Sequence, residues 1–122
     1  MKVYVDPNIG NTYESLKYLE KILNRYSGLE VIQVIIDNFR IYSFEVHARD
    51  PVPPKQDIFI LLSGLNCGYY GTGPHGSLRA LEMLGIDTLL VEPHILSYDI
   101  CVYHRSSGWT FKKLKIKQEV KS

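Results

Sequence analysis

Residues 57–85 read DIFILLSGLNCGYYGTGPHGSLRALEMLG, and this stretch decides the fold. Its first part, Asp57 to Leu62, is strongly apolar and predicts a central strand of a sheet. Five of the nine glycines in the chain lie in the segment that follows, which predicts a tight loop. Leucine and alanine then recur at helical spacing, so we expect a helix from about Pro74 to Leu84, ended by Gly85.

The junction between this loop and the helix is a candidate anion site. We expect Thr72 or Gly73 to cap the helix, because Pro74 suits the first helical position. Backbone amides at a helix start have no intrahelical partner, and the helix dipole places partial positive charge there. Glycines also let a ligand approach the backbone closely. The residues predicted to bind such a ligand are Tyr69, Tyr70, Gly71, Thr72, Gly73, His75, Gly76, Ser77 and Arg79.

Each polar side chain of this loop has a predicted role. The hydroxyls of Thr72 and Ser77 would donate hydrogen bonds to the anion, and His75 would add charge when protonated. Arg79 lies near enough to the helix start to clamp a phosphate. One of the two adjacent tyrosines would stack on a flat ring such as a nucleobase. The predicted ligand is therefore a small phosphorylated molecule, above all a nucleotide derivative.

The loop departs from the known phosphate-binding motifs. It has no Gly-x-x-x-x-Gly-Lys-Ser/Thr sequence, so it lacks the lysine that would reach a phosphate. Residues 71–76 formally fit Gly-x-Gly-x-x-Gly, but Pro74 occupies the interior and no repeated β-α-β unit surrounds them. These departures argue against a nucleotide hydrolase and against a dinucleotide-binding Rossmann fold. The simplest alternative is a glycine-rich turn that only packs the helix against the sheet.

The segment Gly68 to Pro74, GYYGTGP, precedes a short Leu/Ala-rich helix. It resembles the Gly-Tyr-Gly-Gly-Ser/Thr-Gly-Pro segment of a family of small, uncharacterised bacterial and phage proteins, in which an apolar helix also follows. The similarity covers about 20 of the 122 residues, and Tyr70 replaces the middle glycine. The resemblance implies a small prokaryotic or phage protein with a structured glycine turn, and it implies no particular reaction.

An amphipathic helix and three strands are predicted upstream of this stretch. Asn11 is expected to cap the helix, with Glu14 three residues later as in a capping box, and Gly28 to end it. The segment from Ala48 to Gln56 contains three prolines and predicts a surface loop. The strands are Lys2–Val5, Glu30–Asp37 and Phe39–His47, with a tight hairpin turn at Asp37 and Asn38 between the last two.

Downstream, Ile86 to Glu92 is expected to form another strand, and Pro93 to Ser97 breaks the chain. A final hairpin is predicted to join Tyr98–His104 to Thr110–Lys117. The element order is then β-α-β-β-β-α-β-β-β. Strands outnumber helices, which predicts an α+β fold: a mixed, mainly antiparallel sheet of six to seven strands with two helices on one face. At 122 residues without a long linker, the chain is expected to be a single domain.

Composition narrows the function classes. A net charge of +1 argues against a dedicated nucleic-acid binder, which usually carries a strong basic excess. Cys67 and Cys101 lack metal-ligand spacing, so we expect free thiols in a reducing compartment, the cytosol. The N-terminal segment reads as a strand and not as a signal peptide, and no apolar run approaches the ~20 residues of a membrane span. The four histidines share no metal-ligand spacing, and no metal, cofactor or catalytic set is predicted.

Three hypotheses of function follow. The leading one is a non-enzymatic binding protein for a phosphorylated or nucleotide-type ligand, by analogy a phage sponge that sequesters a nucleotide immune signal. Strand-rich hairpins and exposed edges favour a homo-oligomer in this case. The second is a small hydrolase or phosphodiesterase with His75 or His94 as acid–base. The third is a protein–protein immunity or inhibitor module that uses some of the nine tyrosines.

Overall fold

The computed structural model describes residues 1–114. Their elements are β1 (Lys2–Val5), α1 (Thr12–Leu23), β2 (Glu30–Asp37), β3 (Phe44–Asp50), β4 (Gln56–Leu62), α2 (Thr72–Met83), α3 (Glu92–Ile95), β5 (Ile100–His104) and β6 (Gly108–Lys112). The strands form one sheet in the order β1-β4-β3-β2-β5-β6. β1 pairs with β4 in parallel, and the other neighbours are antiparallel. The expected α+β fold with a mixed, mainly antiparallel sheet is confirmed.

The core lies between the helices and one face of the sheet. Leu19 of α1 and Leu81 of α2 are fully buried in one cluster with alternate strand residues such as Val46 and Ile60. Within each strand, the residues between the buried ones point to the other face of the sheet, because successive side chains of a strand alternate. We call this the open face and define it by the partly exposed residues Val3, Val5, Ile35, Phe59 and Leu61.

Helix α1 begins as its sequence predicts. The side chain of Asn11 accepts a hydrogen bond of 2.9 Å from the backbone N–H of Glu14. The helix ends at Leu23, however, and not at Gly28. The chain tightens after it, with the N–H of Arg25 bonded to the carbonyl of Ile22 at 3.0 Å. The predicted extent was therefore one turn too long.

The predicted hairpin turn at Asp37 and Asn38 is wrong. β3 begins only at Phe44, so residues 38–43 form a longer connection, and β3 extends to Asp50. The N–H of Asn38 donates to the carbonyl of Asp99 at 3.0 Å, which ties the start of this connection to the segment before β5. The predicted surface loop is correspondingly shorter and covers residues 51–55.

The predicted strand from Ile86 to Glu92 is also wrong, because these residues turn and lead into α3. Gly85 has a φ of 78°, and the N–H of Ile86 bonds back to the carbonyl of Leu81 at 2.9 Å, which closes α2. The side chain of Asp87 then accepts a hydrogen bond from the N–H of Leu89, at 2.9 Å. These local bonds hold the backbone out of the sheet.

The final hairpin forms from β5 and β6, with its turn at residues 105–107. The predicted second strand, Thr110–Lys117, is found as Gly108–Lys112, and positions 115–117 lie outside the described residues. Among residues 1–114, no helix has the length and apolar character needed to cross a membrane.

Candidate functional site

Because β1 and β4 run parallel, the helices that follow them, α1 and α2, both start near the carboxyl end of this strand pair. Asp6, directly after β1, is only 1% exposed and connects the segments that meet at this end of the sheet. Its carboxylate accepts hydrogen bonds from the N–H and the hydroxyl of Ser63, at 3.2 and 3.1 Å. It also accepts from the hydroxyl of Ser15 and from the N–H of Asn8. One buried carboxylate thus joins β1, α1 and the end of β4.

The loop after β4 is attached directly to the first turn of α1. The hydroxyl of Thr12 donates to the carbonyl of Gly64 at 2.6 Å, and the N–H of Gly64 donates to the Ser15 hydroxyl at 3.0 Å. A Cβ added to Gly64 would lie within 3 Å of the backbone of Asn11. Only glycine fits here, because the opposing atoms are main-chain atoms that cannot move aside.

Three glycines of the predicted site are each opposed by a neighbour in the same chain. A Cβ at Gly71 would meet the ring of Tyr69, and one at Gly73 would meet the side chain of Asn66. A Cβ at Gly76 would meet the methyl group of Thr12. Close packing therefore accounts for glycine at these positions. Gly73 and Gly76 are buried, and Gly71 is half-buried.

Ser77 is fully buried, and its hydroxyl donates to the carbonyl of Asn66 at 2.6 Å. This bond fixes the loop to the second turn of α2. Gly71, and neither Thr72 nor Gly73, is the N-cap residue of that helix, and no side chain caps it. The helix therefore begins at Thr72, two residues before the predicted start at Pro74, and Gly71 has the extended backbone of an N-cap residue.

Other predicted residues lie at the surface. Tyr70 is 83% exposed, and its ring meets that of His75 edge-on with centroids 4.8 Å apart. Nδ1 of His75 lies 2.7 Å from the carbonyl oxygen of Gly71. Since a carbonyl only accepts, Nδ1 must carry the proton, which leaves Nε2 for a ligand. Thr72 and Arg79 are exposed on the same helix.

The exposed residues of α2 face α1 across a cavity of about 320 Å³, here called the α1–α2 cleft. Its lining is Thr12, Tyr13, Leu16, Thr72, His75, Gly76 and Arg79. A second hollow of about 530 Å³ adjoins it, since both are lined by Tyr13, Leu16 and Arg79. Lys17 and Glu20 also line the second hollow, which places one further cation and one carboxylate there. The cleft is thus an elongated groove between the two helices.

Sequence reasoning missed Tyr13. Its side chain is 67% exposed in the first turn of α1, and the ammonium of Lys17 lies 5.2 Å from its ring centroid. A large aromatic residue on the polar side of an amphipathic helix was the available signal. Tyr69, one of the two tyrosines expected to stack, instead packs against Gly71 and does not line the cleft.

Within residues 1–114 Arg79 makes no ion pair, whereas Arg40, Arg49 and Arg105 each meet a carboxylate. Arg25 also makes no ion pair there, but its guanidinium lies 5.9 Å from the ring centroid of Tyr4. An unpaired guanidinium in a groove is free to bind an anionic ligand bidentately. His94, the other histidine considered for acid–base chemistry, stacks on Phe111 with centroids 4.6 Å apart and does not line the cleft.

The described part of the chain brings together no group of three or more side chains able to hold a metal ion. Comparisons of the chain with protein-family models, with curated proteins and with solved structures give no match. Any proposal about function therefore depends on the cleft itself.

Proposed function

We propose that this protein is a non-enzymatic binding protein for a small phosphorylated molecule, a nucleotide derivative above all, and that the α1–α2 cleft holds it. The observation that carries the proposal is the meeting of an unpaired cation, Arg79, with an exposed aromatic ring, Tyr13, in one groove. The cavity volume of about 320 Å³ lies within the range of ~300–1,000 Å³ typical of small-molecule pockets.

Each part of the ligand has a complementary group. Arg79 binds the phosphate, and the hydroxyl of Thr72 donates a further hydrogen bond to it from the same helix face. Nε2 of His75, the acceptor nitrogen of the neutral ring, accepts a hydrogen bond from a ligand hydroxyl. Tyr13 packs against the flat base, as aromatic rings do in nucleotide recognition. Tyr70, held edge-on against His75, covers the outer end. The buried glycines and Ser77 hold these groups in place and do not themselves bind the ligand.

A binding protein without turnover would serve to sequester its ligand, and the phage sponge for a nucleotide immune signal is the biological role that we propose. We place the protein in the cytoplasm, where its two free thiols would stay reduced. We also propose a homo-oligomer. The open face supports it, because Val3 and Val5 keep 48% and 43% exposure beside further apolar side chains.

Isothermal titration calorimetry with a panel of cyclic nucleotides, ADP-ribose-type nucleotides and inorganic phosphate tests the proposal. We expect binding of at least one nucleotide, weakened about tenfold or more in Arg79→Gln. Arg105→Gln is the matched control, because it removes an exposed arginine at the β5–β6 turn, away from the cleft. Absence of heat and of any thermal shift across the panel would refute the proposal.

A second measurement separates binding from hydrolysis. The complex is denatured by heat, and the released ligand is analysed by chromatography and mass spectrometry. Intact ligand is expected for a sequestering protein, whereas a hydrolysed product would establish the enzymatic alternative.

A further inference from the structure

The two cysteines of the chain meet in the core, although they are 34 positions apart. Both are fully buried. Sγ of Cys67 lies 3.7 Å from the carbonyl oxygen of Ile36, and Ile36 is the residue directly opposite Cys101 in the β2–β5 ladder. Sγ of Cys67 also lies 3.2 Å from the carbonyl oxygen of Asp99, two residues before Cys101. The glycine-rich loop and β5 thus bring the two cysteines together in the core.

We propose that Cys67 and Cys101 are a redox-sensitive pair that forms an intramolecular disulfide when the protein meets a peroxide. The bond would join the glycine-rich loop to β5. It would form between side chains that are already neighbours in the core, since Sγ of Cys67 contacts the carbonyl of the residue paired with Cys101. This proposal is independent of what the α1–α2 cleft binds.

The chemistry balances with one peroxide per disulfide. The thiolate of Cys67 attacks a peroxide oxygen, the O–O bond breaks, and Cys67 becomes a sulfenic acid while the released hydroxide takes up a proton to form water. The sulfur of Cys101 then attacks the sulfenic sulfur, the S–O bond breaks and a second water leaves. Two thiols have lost two hydrogens, and the peroxide has been reduced to two waters.

The environment of the pair sets the order of the two steps. Hydrogen bonding with the thiol of Cys67, together with burial, raises the pKa of the Cys101 thiol. Cys67 lies in the loop after β4, whereas Cys101 lies in β5, which is paired on both sides by β2 and β6. Local opening therefore exposes Cys67 more readily, and we place the first oxidation on this sulfur. Because both thiols are buried, the peroxide reaches Cys67 only when the loop opens. The oxidation rate should then rise in urea concentrations that leave the protein folded.

The loop residues on either side of Cys67 show what the bond would fix. The carbonyl of Asn66 accepts a hydrogen bond from the hydroxyl of Ser77, and the N–H of Gly68 donates one to the carbonyl of Ile95 at 2.8 Å. A disulfide at Cys67 would add a covalent link to these contacts. It would also shorten the unfolded chain by closing a loop of 34 residues, which stabilises the folded state.

The test exposes the purified full-length protein to hydrogen peroxide, followed by alkylation in denaturant and mass spectrometry. We expect a monomer lighter by two hydrogen atoms, a linked peptide containing Cys67 and Cys101, and a thermal midpoint raised by roughly 10 °C that a reductant reverses. Recovery of two free thiols, or of disulfides between chains only, would overturn the proposal.

Two variants test the order of the steps. Cys101→Ser should accumulate a sulfenic acid on Cys67 that dimedone traps, whereas Cys67→Ser should give at most a small adduct on Cys101. An equal or larger adduct on Cys101 would contradict the order proposed. The wild-type measurement stands without them if either variant fails to fold.

Discussion

The segment from Gly64 to Arg79, which comprises the loop after β4 and the first two turns of α2, has an inner half and an outer half that differ in burial and in contacts. The inner half, Gly64, Asn66, Gly73, Gly76 and Ser77, makes close contacts with α1 and with itself. The outer half, Tyr70, Thr72, His75 and Arg79, is exposed or half-buried and lies along the cleft or at its end. Glycine density marks only the inner half, where it serves packing. The polar residues beside it are the ones available to a ligand.

Substitutions in the inner half should reduce stability, and the largest effect is expected at Gly64. Gly64→Ala would place a methyl group against the backbone of Asn11, so we expect a loss of about 3 kcal/mol in the free energy of unfolding. Urea denaturation measures it. Gly10→Ala is the control: Gly10 has a φ of 77° but no atom within 4 Å of an added Cβ. Gly64 has no positive φ, so packing is what penalises its substitution, and a loss at Gly64 no larger than at Gly10 would contradict the expected packing cost.

Asp6 should show the next largest effect, although it lies outside the loop and supports it from β1. In Asp6→Asn, one oxygen of the carboxylate becomes an amide NH₂ that faces the donors of Ser15 and Ser63. We expect a loss of about 2 kcal/mol in the free energy of unfolding, since a buried group loses its hydrogen bonds. A variant as stable as the wild type in chemical denaturation would mean that this carboxylate does not organise the site.

Ser77→Ala removes a single buried hydrogen bond of the inner half, the one from its hydroxyl to the carbonyl of Asn66. We expect a loss of about 1 kcal/mol in stability, which corresponds to one such bond, with nucleotide affinity changed by less than threefold. Denaturation and calorimetry on the same preparation provide both numbers. A tenfold loss of affinity with unchanged stability would show that Ser77 contacts the ligand and does not only pack the inner half.

Arg79→Gln should have the smallest effect on stability and a large effect on binding. Its exposed side chain makes no ion pair within residues 1–114, so the free energy of unfolding should change by no more than about 0.5 kcal/mol. Affinity for the nucleotide should fall about tenfold. If stability falls while affinity does not, the outer half is as structural as the inner half.

Local sequence signals predicted much of this fold. β1 and β2 have the predicted bounds, and Asn11 caps α1, because alternation and capping are encoded by near neighbours. The strand expected over 86–92 failed for the opposite reason. Its apolar side chains fit a strand, but the side chain of Asp87 and the carbonyl of Thr88 turn the backbone through local hydrogen bonds.

Only one side of the candidate site could be predicted from the sequence. The α2 side of the cleft follows the glycine-rich loop and could be identified from it. Tyr13 could not be assigned to the site, because α1 lies beside α2 only once β1 has paired with β4. That pairing joins residues far apart in the sequence, such as Lys2 and Ile58, which are 56 positions apart. No local pattern reports that pairing, and only the three-dimensional arrangement brings Tyr13 and Arg79 into one groove.

The parallel pairing of β1 with β4 also orders events during synthesis. β1 has no partner strand until residues 56–62 have left the ribosome, whereas β2 and β3 can pair as soon as both have been made. During this interval the apolar side of α1 has no sheet to pack against. A nascent chain that stalls before β4 would therefore present Leu19 and Ile22 to chaperones. β1 therefore joins the sheet only after β2, β3 and β4 have been made, although it precedes all three in the sequence.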